Sequence, residues 1–577
     1  MNTVSRLILA VSSGILLGAA WIPSPFAIVA IFVAFIPLLL VFDDLEKIPE
    51  RKNGKRFFGY AFLTFLVWNV LTTWWVFNST PAAILAFLTN SALMALMVYF
   101  YYIVKKHVFK MRNCLWVLAV FFTAFEYFHF DWDLSWPWLT LGNVFAAIPE
   151  SVQFYEFTGV LGGSLWIWFA NIVLFDMVKK NIVCIFPFLW LFPITLLFTP
   201  IWFALPFIAL FFLIVHGVEK VIRNTEKRNY SKFSWKDIVL LVLIILPLII
   251  SAAMYQYYKE KGTDVEVVIV QPNIDPYSEQ YDLNPVVATE RMLDLARTKV
   301  TPNTRLILTP ESMIQEYVWE HQLDYSPSLR LIQEFLSQHD SIEMIAGLSS
   351  WRLVPERTSA ARPYYGGQYY EAHNVALLVS KDERSQKYYK SKLTPGVEIM
   401  PFVKYFRPLE RLAIDMGGTV GTLGISPNRE VFISQYGTPP FAPIICYESI
   451  YGDFVAGFVR NGAQFLCIIT NDGWWGNTPG HRQHMRYAKL RAIETRRDIA
   501  RCANTGISGF INQRGDVSQA TPYWEEAVIS QNVKANDKIT FYVKYGDYIG
   551  RISLFLAGIL LLLALAFRLM KRNINVN

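Results

Sequence analysis

The sequence predicts a multi-span α-helical membrane bundle joined to an α/β layered domain, and three observations carry that prediction. Of 577 residues, 53% are hydrophobic and only 17% charged, with a mean hydropathy of +0.30, too apolar for an ordinary soluble chain. Apolar stretches of roughly 17–25 residues, enough to cross a bilayer as helix, recur through the first 257 positions. Beyond position 262 the text changes to mixed charged and apolar residues, with short β-rich runs alternating with helical ones.

The same composition excludes a disordered chain and a nucleic-acid module, because the formal net charge of +7 arises from dispersed basic residues rather than one basic face. Five cysteines, Cys114, Cys184, Cys446, Cys467 and Cys502, lie far apart without a CxxC pair. They imply neither a disulfide framework nor a zinc knuckle.

Spans are expected near 5–22, 26–42, 57–77, 81–104, 114–130, 163–178, 182–198, 200–216 and 237–257, with one more at 552–570. Pro37, Pro187, Pro193 and Pro247 interrupt them, which membrane helices tolerate, and 182–216 reads equally as a pair or a re-entrant element. Basic residues set the orientation, since positively charged loops stay cytoplasmic. They follow the second span (Lys47, Arg51, Lys52, Lys55, Arg56), the fourth (Lys105, Lys106, Lys110, Arg112), the sixth (Lys179, Lys180) and the eighth (Lys220 to Lys236), whereas 131–162 contains none. With the amino terminus inside, an odd number of spans delivers the second half of the chain to the outer face. The last helix returns to a basic tail at Arg568, Lys571 and Arg572. The first span has a signal-peptide alternative, with Gly18, Ala19 and Ala20 as small residues; a second span so close behind it favours a helical hairpin. The expected organisation is a bundle over 1–257, a folded domain over 262–547 and a final span at 552–570.

Within the folded domain, strands are expected at Val265–Val270, Arg305–Thr309, Glu343–Leu348, Val375–Val379, Pro443–Ile445, Phe465–Thr470 and Ser508–Ile511, and helices near 286–299, 328–338, 451–461 and 483–501. Three polar residues stand just beyond apolar strands, where side chains converge above a sheet: Glu311 in LILTPES, Lys390 in KYYKSKLTPGVE and Cys446 in APIICYES. A thiol is mostly protonated near neutrality, so a nucleophilic Cys446 needs a base, which Glu311 supplies, and a cation favouring the thiolate, which Lys390 supplies. Attack on a carbonyl then needs donors for the oxyanion, for which Lys390 and the Tyr447 backbone N–H are candidates. Glu398, eight residues after Lys390, is a second carboxylate suited to orienting Lys390 or moving protons. Each residue singly has a structural alternative: Cys446 as a buried strand-end thiol, Glu311 as the cap of a helix after Pro310, Lys390 as one more solvated cation beside Lys387 and Lys392.

The surrounding text separates these alternatives. VVIVQPNID, TPES, KYYKSKLTPGVEIMPF, ICYES and NDGWWG, in this order, resemble the carbon–nitrogen hydrolase (nitrilase) superfamily; with the membrane half, and with SWPWLTLG from Ser135 to Gly142, the chain resembles the bacterial apolipoprotein N-acyltransferase family. Lys390, Leu393, Pro395, Glu398 and Pro401 match its K-x-x-L-x-P-x-x-E-x-x-P pattern, and Cys446, Tyr447 and Glu448 its C-Y-E. The chain departs from it at Thr309 and at Gln280 and Tyr281, where the family often has tryptophan; Tyr281 is the aromatic substitute expected near the acyl chain. The resemblance implies a four-layer αββα sandwich, a Glu311–Lys390–Cys446 triad and a two-step transfer. Cys446 takes a fatty acyl chain from a phospholipid as a thioester and passes it to the amine of a diacylglyceryl-cysteine apolipoprotein. It further implies a bacterial inner membrane protein with the catalytic domain periplasmic.

Other features carry structural alternatives of equal standing. Trp474 and Trp475 suit the headgroup level or a loop packed on its own domain. Tyr447 and Glu448 suit a pocket wall or a hold on the second substrate, and Glu448 equally a structural acceptor. No metal or cofactor is expected, since His481 and His484 lack a ligand-spaced Cys or carboxylate. The stripe Arg486, Lys489, Arg491, Arg496, Arg497 and Arg501 reads as a solvated helix face paired with residues such as Glu494. Nothing in the sequence requires more than a monomer. The competing functional readings are a membrane-anchored amidase with the same triad and a non-enzymatic scaffold.

Overall fold

The computed structural model describes residues 1–24, 28–48, 53–79, 83–180, 234–280, 282–382, 386–399, 402 and 422–574. The expected spans at 182–198 and 200–216, together with Tyr281 and Pro401, lie outside the described residues.

Helices Thr3–Ala20, Ile36–Glu46, Asn53–Thr73, Ala83–His107, Trp116–Phe128, Tyr155–Lys179 and Trp235–Tyr257 form the first half, and Tyr548–Ile574 closes the chain. Five of the described helices are long and apolar enough to cross a membrane. Close packing follows from small residues: a Cβ on Gly14 would lie 2.5 Å from the Thr64 carbonyl oxygen of the neighbouring helix. Acidic side chains on Ile36–Glu46 gather the basic ends of its neighbours, with Lys105 Nζ 2.5 Å from Glu46, Lys179 Nζ 2.5 Å from Asp43 and Arg6 Nε 2.7 Å from Asp44.

The stretch expected as one span over 26–42 is instead broken into a short 3₁₀ turn, Ala30–Phe32, and the helix Ile36–Glu46. Pro37 has no N–H to donate, and buried Asn171 satisfies the backbone freed by the break: its amide nitrogen donates to the Ile31 carbonyl (2.8 Å) and its oxygen accepts from Phe35 N–H (2.9 Å). After Trp116–Phe128 the chain runs through three 3₁₀ turns between Pro137 and Val152. This irregular segment underlies the two-sheet domain of the second half.

The second half is built on two sheets. Strands β1 (Thr263–Gln271), β2 (Thr304–Leu308), β3 (Ile314–Trp319), β4 (Glu343–Val354), β5 (Arg362–Pro363), β6 (Tyr369–Val379), β7 (Gln386–Tyr389) and β13 (Ala527–Ala535) form an eight-stranded sheet with the order β13-β1-β2-β4-β6-β5, β3 also pairing with β4 and β7 with β6. Strands β8 (Phe441–Ile445), β9 (Phe465–Thr470), β10 (Ile499–Ala503), β11 (Gly509–Ile511) and β12 (Val517–Ser518) form a five-stranded sheet in the order β12-β11-β10-β9-β8. Alternation along β1 explains the layering. Val265, Val267 and Ile269 face the second sheet, packing in one core with Ile444, Leu466 and Ile499, whereas Val268 and Val270 face Met292, Leu329 and Phe335 of the helices Pro285–Arg297 and Pro327–Ser337. On the far side lie the helices Gly452–Arg460 and Pro479–Thr495, which completes a four-layer αββα sandwich. The core between the sheets is continuous with that of the membrane bundle.

Two expectations fail locally. No helix follows Pro310; after a turn the chain enters β3. The helix expected over 483–501 ends at Thr495, where Arg496 adopts a left-handed φ of 51° and the chain turns into β10. Most of the arginines expected on its solvated face are buried instead. Arg491, Arg497 and Arg501 are at most 1% exposed; Arg491 pairs with Glu494, Arg496 with Glu156 of the bundle, and Arg497 donates to the Ala463 and Lys538 carbonyls. Where the helix is wedged between sheet and bundle its cations are satisfied internally, whereas Arg482 is exposed and Arg486 and Lys489 are half-buried.

Candidate active site

Strand ends bring Glu311, Lys390 and Cys446 together, one from each of three separate segments. Glu311 follows β2 and is 6% exposed. Its Oε1 accepts from Lys390 Nζ (2.9 Å) and Asn374 Nδ2 (2.7 Å), and its Oε2 accepts from the Asn471 backbone N–H at the end of β9 (3.0 Å). Glu311 thereby ties the two sheets. Lys390 follows β7, where its own N–H donates to the Asn374 carbonyl (2.9 Å), and its side chain is buried rather than solvated. Its ammonium also donates to Glu398 Oε1 (2.8 Å), whose other oxygen accepts from Thr394 N–H (2.9 Å). Burial works against this ammonium, but Glu311 and Glu398 outweigh it and raise Lys390 well above the ordinary lysine range.

Cys446 follows β8 with a left-handed φ of 50°, a conformation that costs a non-glycine residue free energy and lifts its side chain off the strand. Burial and then the charge of Glu311 push its thiol well up, and Lys390 opposes them. The resting thiol is therefore protonated and requires a base for attack.

The side chains of the two residues after Cys446 make buried hydrogen bonds. Glu448 is fully buried: Oε1 accepts from Tyr388 OH (2.6 Å) and Ser391 N–H (2.6 Å), and Oε2 from Ile445 N–H (2.8 Å). This ties the nucleophile turn to the loop after Lys390, and burial raises Glu448 to about 7. These three bonds are those of a structural acceptor, one of the roles expected of Glu448. Tyr447, 4% exposed, donates its hydroxyl to the Ser135 carbonyl of the bundle (3.1 Å).

The turn 472–475 packs neither at a free surface nor on its own domain alone. Trp475 lies against Trp75 (4.9 Å) and Trp138 (5.7 Å) of the membrane half. Ser79 Oγ donates to the Trp474 carbonyl (3.0 Å), as does Tyr277 OH (2.6 Å), and Tyr277 also packs on the Trp474 ring (5.2 Å).

A buried cluster beside Cys446 is absent from the sequence-based expectations. Asp472 accepts from His484 Nδ1 (2.8 Å), Thr470 Oγ1 (2.9 Å) and Arg501 (2.7 Å), and burial notwithstanding, Arg501 and His484 hold its carboxyl far below the usual range. Cys446, Asp472 and His484 present side-chain ligand atoms within 4.8 Å of one another. The Arg501 guanidinium, 2.7 Å from Asp472 and 3.1 Å from His484 Nδ1, already pairs the Asp472 carboxylate. His481 lies apart, stacked on Tyr523 at 3.9 Å.

The fold and these strand-end residues define a carbon–nitrogen hydrolase-type catalytic domain carried on a membrane bundle, and residues 266–539 match the Carbon-nitrogen hydrolase family. Residues 13–173 match the Apolipoprotein N-acyltransferase N-terminal domain. Between them these regions take in most of the chain, which belongs to the apolipoprotein N-acyltransferase family. It is 29% identical over 563 residues to the apolipoprotein N-acyltransferase of Chlorobaculum tepidum, covering 96% of this chain and 95% of that one. To the protein of the same name from Geobacter metallireducens it is 24% identical over 577 residues, covering 97% and 95%.

Proposed function

We propose that this chain transfers a fatty acyl group from a phospholipid to the amine of a diacylglyceryl-cysteine apolipoprotein, with Glu311, Lys390 and Cys446 as its catalytic residues. One observation carries the reading: a buried ammonium bridges Glu311 and Glu398 (2.9 and 2.8 Å) at the strand ends where the thiol of Cys446 emerges. Glu311 takes the thiol proton as sulfur attacks the ester carbonyl. Lys390 and the Tyr447 N–H stabilise the oxyanion. The C–O bond breaks, the proton passes from Glu311 to the leaving alkoxide, and lysophospholipid departs from a thioester. The acceptor amine then forms the C–N bond, the C–S bond breaks, and the amine proton passes through Glu311 back to sulfur. Glu398 holds Lys390 in both steps, and no metal or cofactor is called for.

The catalytic domain lies on the outer face of the bacterial cytoplasmic membrane. The support is the alternation of basic loops together with the basic helix ends that meet Asp43, Asp44 and Glu46. Both lipid substrates reside in the membrane, so a domain fixed to it meets them at high effective concentration, and one copy of the chain suffices. Trp474, Trp475 and the segment 135–142 form part of the floor between bundle and nucleophile.

The test is lysophospholipid release from the purified protein in detergent. Without acceptor, one equivalent per protein is expected, then a halt. Addition of a diacylglyceryl-cysteinyl peptide should restart release together with amide formation. Unbroken release into water without acceptor would support the hydrolytic, amidase-like alternative instead.

A further inference from the structure

The carbonyl oxygen of Cys446 is held from below. Ser449 Oγ donates to it (2.7 Å), and His484 Nε2 lies 3.2 Å from it and 3.0 Å from Ser449 Oγ. His484 is fully buried, its Nδ1 is fixed on Asp472, and Asp472 is fixed by Arg501 and Thr470. The ring is also boxed by Trp138 (5.9 Å) and Trp475 (5.7 Å). Trp138 belongs to the membrane half and donates its Nε1–H to Gln483, the residue before His484 (2.7 Å).

We infer that His484 is a positioning residue for the oxyanion site, acting through the Cys446–Tyr447 peptide. A trans peptide is planar, with its C=O and N–H pointing in opposite directions. Fixing the Cys446 oxygen toward His484 and Ser449 therefore fixes the Tyr447 N–H toward the opposite side, where the oxyanion forms. The pin is needed because Cys446 sits in the left-handed region (φ 50°), where relaxation of the strand end would rotate this peptide. The Trp138 contact makes the membrane bundle part of that support.

The inference rests on the reading of Cys446 as the acylated nucleophile, and the experiment separates the two. Two rates are measured at Cys446 by intact mass and peptide mapping: acylation by phospholipid in a single turnover, and alkylation by iodoacetamide. Acylation passes through an oxyanion, whereas alkylation is a direct displacement at carbon and does not. His484→Leu should slow acylation by about 10- to 100-fold, a fraction of the loss of a whole oxyanion donor, and leave alkylation within about threefold. His484→Gln, whose carboxamide offers an N–H to the Cys446 carbonyl, should recover most of the acylation rate. Ser449→Ala should slow acylation about threefold with alkylation unchanged, and it decides the matter if His484→Leu does not fold. Acylation at the wild-type rate in both variants, or a parallel fall of both rates, overturns the inference. A wild-type protein that turns over lipid without becoming acylated at Cys446 overturns instead the reading on which it rests.

Discussion

The two sides of the catalytic cleft are held by different means. Glu311, Lys390 and Glu398 stand at the ends of the eight-stranded sheet and hold one another by ion pairs, and the ties nearby to the bundle lie toward the surface: Lys392 to Asp131 (2.7 Å), with Asp131 92% exposed, Lys392 to the Phe130 carbonyl (3.0 Å), and the Phe402 N–H to Asp133 (2.7 Å). Cys446 stands on the five-stranded sheet over a buried floor shared with the membrane half: Tyr447 on Ser135, Tyr451 on the Ser135 hydroxyl (2.7 Å), Trp138 on Gln483, and Tyr487 between the Trp138 carbonyl (2.9 Å) and Trp21 (3.0 Å). The side proposed to handle protons is thus held mainly by ion pairs within the two-sheet domain. The side of the proposed nucleophile, Cys446, is set by domain and bundle together, which gives the bundle a structural part beyond anchoring.

The contrast predicts a graded series. Cys446→Ala should reduce transfer by about 10⁴-fold or more with insertion and folding retained, checked by transfer to a diacylglyceryl peptide alongside thermal unfolding. Lys390→Ala should cost about 10³-fold in acyl-enzyme formation, read by single-turnover mass; normal accumulation of acyl-enzyme in this variant would break the assignment of the proton-handling side. Trp138→Phe leaves a buried Gln483 oxygen unpaired, a loss of about 1–3 kcal/mol, and should slow acylation about 3- to 10-fold although it lies in the membrane half. Asp131→Asn, on the exposed tie, should change activity by less than about twofold, since such pairs are worth ~0–1 kcal/mol. If Asp131→Asn were the more damaging of these last two, the contrast between the sides would be reversed.

A smaller effect concerns pH. Glu448 is raised to about 7 in the folded protein, above about 4.3 for a free glutamate. The folded state thus binds this proton more tightly, and the stability so gained is full below about pH 4.3 and disappears as pH rises through about 7. Melting temperatures at about pH 5.5 and about pH 8 should therefore differ less in Glu448→Gln than in the wild type, by ~2–4 °C.

Much of the site was legible because its chemistry sits where strands end. Apolar runs followed by TPES and CYES placed Glu311 and Cys446 beyond β2 and β8, whereas the short polar strand β7 (QKYY) before Lys390 was not expected. The floor was not legible, because Asp472, His484 and Arg501 are joined only by folding. Arg501 belongs to β10, yet the charges of RRDIARCA continue the helical text before it, so helix was expected through 501 and its cations were expected in solvent. The signal available was an arginine flanked by Ile499, Ala500, Cys502 and Ala503 in a fully buried strand pattern. In the bundle, hydropathy located helices such as Asn53–Thr73 and Ala83–His107 but could not show that Asn171 supports an unwound stretch at Pro37, since that depends on a partner 136 positions away.

The central claim is that the sulfur of Cys446 carries the acyl chain between donor and acceptor. Intact-mass analysis of the wild-type protein after exposure to phospholipid alone tests it most directly. One added acyl group on the peptide containing Cys446, discharged by a diacylglyceryl-cysteinyl peptide, is the result expected; an unmodified protein that still acylates the peptide would contradict it.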